Sequence, residues 1–188
     1  MEQNETQSPQ ERFRVLQPED CKPLLAWWYW LDDNRGDRAQ LRRAESPEDI
    51  LLTPAFAHFV QQMPDGRWPS RQLPISDCAL VAAALARVKR QRQGASFARS
   101  LAQPRQAGEG RAAMSELRFQ QLQKSRDPDE FFRRLCRAIA LLGHEANLLS
   151  LADGILHWLL EHRTQVDREP LKRLTVRWAS DYYAALKD

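Results

Sequence analysis

The side chains in this sequence best suited to chemistry are its arginines. In the stretch SELRFQQLQKSRDPDEFFRRLCRAIALL, residues 115–142, Arg118, Lys124, Arg133, Arg134 and Arg137 recur among apolar residues at helical spacing. Guanidinium groups present their donors in a planar fork that matches phosphate, so a helix face bearing several of them suits a polyanion backbone. Water suits it equally well, because cations solvate the outer face of many helices. On a helical wheel Phe131, Phe132, Leu135, Ile139 and Leu142 occupy one arc, and Arg133, Arg134 and Arg137 the opposite one. Glu130 can pair with Arg134 at i,i+4, which neutralises one of the three. Arg42 and Arg43 in AQLRRA, Arg71 in WPSRQ, and the group Arg87, Lys89, Arg90 and Arg92 are the other cations to weigh.

Their distribution is uneven. The net charge of the 188 residues is only +3, yet residues 87–137 hold 13 Lys or Arg against 5 Asp or Glu. A local excess of that kind points to an anionic partner more than to general solubility. No helix carries a base-reading pattern, so binding is expected to follow the nucleic-acid backbone and not its sequence.

Other chemistries find little support. The 4 histidines, His58, His144, His157 and His162, are scattered, none stands in HExxH, and the last two lie at i,i+5. There is no GxxxxGK[ST] loop, no GxGxxG after a strand and no GxSxG elbow. No catalytic residue, cofactor or metal site is therefore expected. Asp32, Asp33 and Asp37 in LDDNRGD read as a solvated turn, and the RGD tripeptide within it as a chance match. Cys21, Cys78 and Cys136 are odd in number and widely separated in apolar helical surroundings, which predicts buried reduced thiols. The run Trp27, Trp28, Tyr29 and Trp30 must splay around its helix, with core packing favoured over base stacking; the same holds for Trp158, Trp178, Tyr182 and Tyr183.

The elements that must position these residues are helices. Hydrophobic content of 43% is enough for a core, and no stretch alternates apolar and polar residues as a half-buried strand does. The expected fold is all-α, with helices near 18–32, 37–44, 47–51, 54–62, 75–91, 96–103, 115–124, 128–142, 148–162 and 169–186. Three starts are written locally: Ser46 before Pro47, Thr53 before Pro54, and Asp127 before Pro128 with an acidic first turn. QPRQAGEGRA, residues 103–112, holds one Pro, two Gly and no large apolar residue, and reads as a linker. The expected organisation is a loose tail over 1–17, a helical bundle over 18–103, a linker over 104–112 and a second bundle over 113–188. The polar start MEQNETQSPQERFR lacks the form of an export signal, and the apolar run 24–31 is too short to span a bilayer. A soluble, cytoplasmic protein is expected.

The order of segments carries a resemblance. RAQLRRAESPEDILLTPAF (38–56), ALVAAALARV (79–88), ASFARSLAQ (95–103), the stretch 114–142, SLADGILHW (150–158) and VRWASDYYAAL (176–186) together closely resemble the CasB family. That family is the small subunit of the type I-E CRISPR surveillance complex, Cascade. The resemblance implies two small helical bundles and no catalytic activity. It implies a pair of copies beside the guide-RNA backbone subunits and the large subunit, with basic surfaces on target strand, displaced strand and guide RNA, stabilising the R-loop. Carried over by position, it places basic function at Arg43, more loosely at Arg118, Lys124, Arg134 and Arg137, and at Arg71 in a poorly aligned loop. The alternative is a helical adaptor that bridges proteins and makes no direct nucleic-acid contact. The two differ in whether single-stranded DNA binds in a salt-dependent way.

Overall fold

A computed structural model describes residues 13–63, 73–105 and 110–187. Ten α-helices run through them: α1 (Pro18–Asp33), α2 (Arg35–Arg43), α3 (Pro47–Leu51), α4 (Pro54–Gln62), α5 (Cys78–Ala86), α6 (Phe97–Ala102), α7 (Glu116–Gln123), α8 (Pro128–Leu141), α9 (Leu148–Arg163) and α10 (Leu174–Ala185). The fold is all-α apart from one short parallel pair, β1 (Arg90–Gln91) with β2 (Glu145–Ala146). Among the described residues no helix is long and apolar enough to cross a membrane.

The locally written starts form as the sequence dictates. Ser46 and Asp49 close a capping box on α3, the Thr53 hydroxyl accepts from the Phe56 N–H on α4, and the Asp127 carboxylate accepts from the Glu130 N–H on α8. Each satisfies a first-turn donor that the helix itself cannot. The expected helix over 75–91 is shorter than its apolar pattern. A 3-10 turn over Ile75–Asp77 precedes α5, and the chain is extended again by Lys89, whose N–H donates to the His144 carbonyl at 2.8 Å. A long-range partner claims those backbone groups before the helix can.

Every residue of α5 is buried, which explains a sequence, CALVAAALA, without a polar face. It lies at the centre, with α1, α2, α3, α4, α8 and α9 packed on it. Buried apolar residues from both sides of the expected linker form one cluster, and α6, which precedes it, packs along α10, which follows it. The linker's two ends are bonded to each other, Ala113 N–H to Gln103 O and Met114 N–H to Leu101 O, both at 2.9 Å. The two expected bundles thus share a core.

Part of the expected loose tail is anchored. The buried Asp153 carboxylate of α9 accepts from three consecutive N–H groups, those of Arg14, Val15 and Leu16, at 2.9, 2.7 and 3.0 Å. A charged acceptor supported by three donors is satisfied despite burial, and it docks Val15 and Leu16 in the core. Residues 1–12 lie outside the described residues. Trp27 and Trp28 are buried, and Trp28 Nε1 donates to the Leu85 and Val88 carbonyls; Tyr29, at 56% exposure, points out. The splay expected of WWYW is present, and its inward members pack the core. Cys78 is buried, and Cys21 and Cys136 are half-buried; none of the three forms a disulfide.

Candidate nucleic-acid interface

The cationic stretch becomes a site because two short helices turn the same kind of face towards one cleft. On α7, burial of Phe119 and Leu122 leaves Arg118 and Gln121 outward. On α8, burial of Phe131, Phe132, Leu135, Ala138 and Ile139 leaves Arg134, Arg137, Ala140 and Leu141 on the other side. Aromatic stacking fixes both helices from beneath: Phe119 lies on Tyr182 at 4.0 Å, and Phe131 on Trp158 at 4.2 Å. The Tyr182 hydroxyl donates to the Met114 carbonyl at 2.6 Å, which ties the cleft floor to α10.

Between α7, α8 and the segment leading to α7 lies a cleft of about 1020 Å3. Five arginines line it, Arg105, Arg111, Arg118, Arg134 and Arg137, and no carboxylate lies among its described lining residues. A concave wall whose described charges are all positive focuses the field outward and concentrates anions there. A smaller cavity of about 210 Å3 continues from it through Gln121 and Arg134 and is edged by Lys124, Arg126 and Glu130.

The predicted site residues divide accordingly. Arg118, Arg134 and Arg137 meet in the cleft, and Lys124 stands at its extension. Arg133 is exposed on α8, and Arg42 and Arg43 are exposed in the last turn of α2; none of the three lines the cleft. Arg71 lies outside the described residues. Arg105 and Arg111 were missed because both fall in the stretch read as linker. The signal available was the charge excess of residues 87–137, which includes them.

The arginines do not all have the same freedom. Arg134 pairs with Glu130 at 2.8 Å, and its Nη1 donates to the Gln121 carbonyl and, at 3.4 Å, to Ser125 Oγ. Gln121 sits in the last turn of α7, where carbonyls lack helical partners and the helix dipole is negative. Arg134 is therefore the clamp between the two helices. Among the described residues Arg105, Arg111, Arg118 and Arg137 have no carboxylate partner. These four carry the uncompensated charge.

Arg87, weighed as a possible contact, is structural. Its guanidinium donates to the carbonyls of Ala83, Arg42 and Ala44 at 2.8 Å and of Leu41 at 3.1 Å, and lies 4.9 Å from the Phe132 ring centroid. It thereby occupies the negative ends of α2 and α5 together. Burial holds its pKa below the usual arginine value. Among the described residues no group of three or more His, Cys, Asp or Glu converges as a metal-ligand set. His157, buried on α9, accepts at Nδ1 from Arg177 Nη1 at 3.2 Å and, in that tautomer, donates from Nε2 to Glu161 at 3.1 Å.

Comparison with known proteins then assigns this helical fold to a family. Residues 37–183 match the family described as CRISPR-associated protein Cse2. No curated protein and no solved structure matches the chain. A match spanning α2 to the last turns of α10 covers most of the fold just described, and the chain belongs to the Cse2 family, the CasB small subunit of type I-E Cascade.

Proposed function

We propose that this small subunit holds single-stranded nucleic-acid backbone in the α7–α8 cleft and so stabilises the R-loop of Cascade. The observation that carries the reading is the cleft's charge: five arginines line it with no described carboxylate among them, and four of the five have no described acidic partner. The described lining also contains no aromatic side chain, so it offers phosphate contacts without base stacking. R-loop formation exchanges one duplex for another at nearly equal free energy, and a few backbone contacts are enough to tip it. The strands concerned are the target and displaced DNA strands, with guide RNA nearby. The other partners are the guide-RNA backbone subunits, the large subunit and a second copy of this chain. Expected placement is cytoplasmic, beside those partners.

The test is reconstitution of the guide-RNA complex with and without this protein, followed by the dissociation rate of a matched target at two salt concentrations. Slower dissociation in its presence, with the larger effect at low salt, supports the proposal. Incorporation that leaves the rate unchanged at both salts refutes it in favour of the protein-bridging adaptor.

A further inference from the structure

The cleft does not end at Arg105. That side chain also lines a second cavity, of about 230 Å3, which continues past Gly143 to Arg90, Arg92 and Glu145. A glycine lines the passage. Gly143 follows α8 with φ +68°, its N–H donating to the Ala140 carbonyl while the His144 N–H reaches back to Ile139, a Schellman ending. A Cβ at that position would stand 3.1 Å from Arg105 Nη2, so the bare glycine lets the guanidinium lie across the turn. Beyond it, the parallel pairing of β1 with β2 forms a ledge in which Arg90 and Glu145 are register partners. Their side chains form an ion pair, and both stand in solvent, Arg90 at 75% and Glu145 at 37% exposure. Arg92 Nη2 donates to Gln103 Oε1 at 3.1 Å, which holds it on the Arg105 side of the ledge.

We infer that the backbone site continues from the cleft across Arg105 onto the β1–β2 ledge, and that Glu145 is an intramolecular competitor for the phosphate that Arg90 would take. This rests on the reading of the cleft given above. An exposed ion pair contributes little, because both groups are well solvated apart. A phosphate of an already tethered strand arrives at high effective concentration and displaces the carboxylate. No aromatic side chain is among the described residues that line this cavity, so the extension, like the cleft, recognises phosphate and leaves bases unstacked. Glu145 thus lowers affinity for long strands while leaving short ones, seated in the cleft alone, unaffected.

The experiment uses the full-length protein and labelled oligothymidylates from about 4 to about 20 nucleotides, a span that brackets typical single-strand sites. Binding is followed by fluorescence anisotropy across a salt series. Glu145→Gln removes the competitor without adding a contact, and raises long-strand affinity by up to about fivefold, the weight of an exposed ion pair. Arg90→Gln with Arg92→Gln makes the long-strand slope shallower by about 1.4. Neither set changes the shortest strands. Because Glu145→Gln is a gain, a misfolded variant cannot imitate it. Long strands that respond to these variants no more than short ones overturn the extension alone. Wild-type protein that binds no strand at any length overturns both readings.

Discussion

Arg118→Gln combined with Arg137→Gln removes two of the four cleft arginines that have no described acidic partner, and neither side chain supports another element. A strand of about six nucleotides, short enough to sit in the cleft, meets about four phosphate contacts, each worth a slope of about −0.7 on a single strand. The wild-type slope is then about −2.8, and affinity falls about fiftyfold between about 50 and 200 mM salt. With two contacts gone the slope is about −1.4 and the fall only about sevenfold. Anisotropy of labelled oligothymidylate over that salt range measures both, and a thermal melt checks that the variant folds. A folded double variant with the wild-type slope refutes the assignment, since phosphates held by these groups cannot leave the counterion count unchanged. Arg134 is deliberately spared. Its guanidinium ties Glu130 to the end of α7, so its loss mixes binding with stability.

Other expectations concern the scaffold beneath the cleft. Arg87→Ala strands four carbonyl acceptors at the ends of α2 and α5 and removes the contact with Phe132; a loss of about 3 kcal/mol in urea unfolding is expected. Gly154→Ala places a Cβ 2.6 Å from Trp178 Cζ2 on the facing α10; overpacking of that kind costs about 1–3 kcal/mol and lowers the melting temperature. Burial pushes the Glu161 carboxyl up, but hydrogen bonds from His157 and the Leu174 N–H, with the positive charge nearby, outweigh it and hold the pKa below the usual glutamate value. Its contribution to stability is therefore present above about pH 4.3, the unfolded value, and is lost as pH falls through the lower folded one. Acid unfolding of Glu161→Gln should lack that part of the pH dependence; an unaltered profile would exclude it.

The features decided within four or five residues were legible. Ser46, Thr53 and Asp127 each cap a helix through a donor three residues on, and every one of these contacts is a local event that no distant packing has to supply. The amphipathic face of α8 was equally readable, because its apolar and cationic arcs follow from the 100° step alone. So was core packing within the WWYW run, which must bury large area somewhere, though not that Trp27 and Trp28 are its inward members.

What could not be read is what depends on partners far along the chain. The cations of α7 and α8 were visible as a group, but beyond its i,i+4 pairing with Glu130, Arg134 is set apart from Arg137 by the Gln121 carbonyl that faces it. Arg87 looked like another member of a basic cluster until two helix ends, one more than 40 residues away, closed around it. Arg105 and Arg111 sat in a stretch without large apolar residues, where no periodicity shows that they face a cleft. The β1–β2 pair joins two residues to two others more than 50 positions on, too short for any periodicity to announce. By itself, then, the sequence determined an all-α chain, its helix starts, its core aromatics and the region holding its excess positive charge, because propensity, capping and burial act locally or by composition. Only the tertiary structure decided which arginines share a cleft and which are spent on carbonyls, because a guanidinium's role depends on the acceptors that long-range packing brings to it.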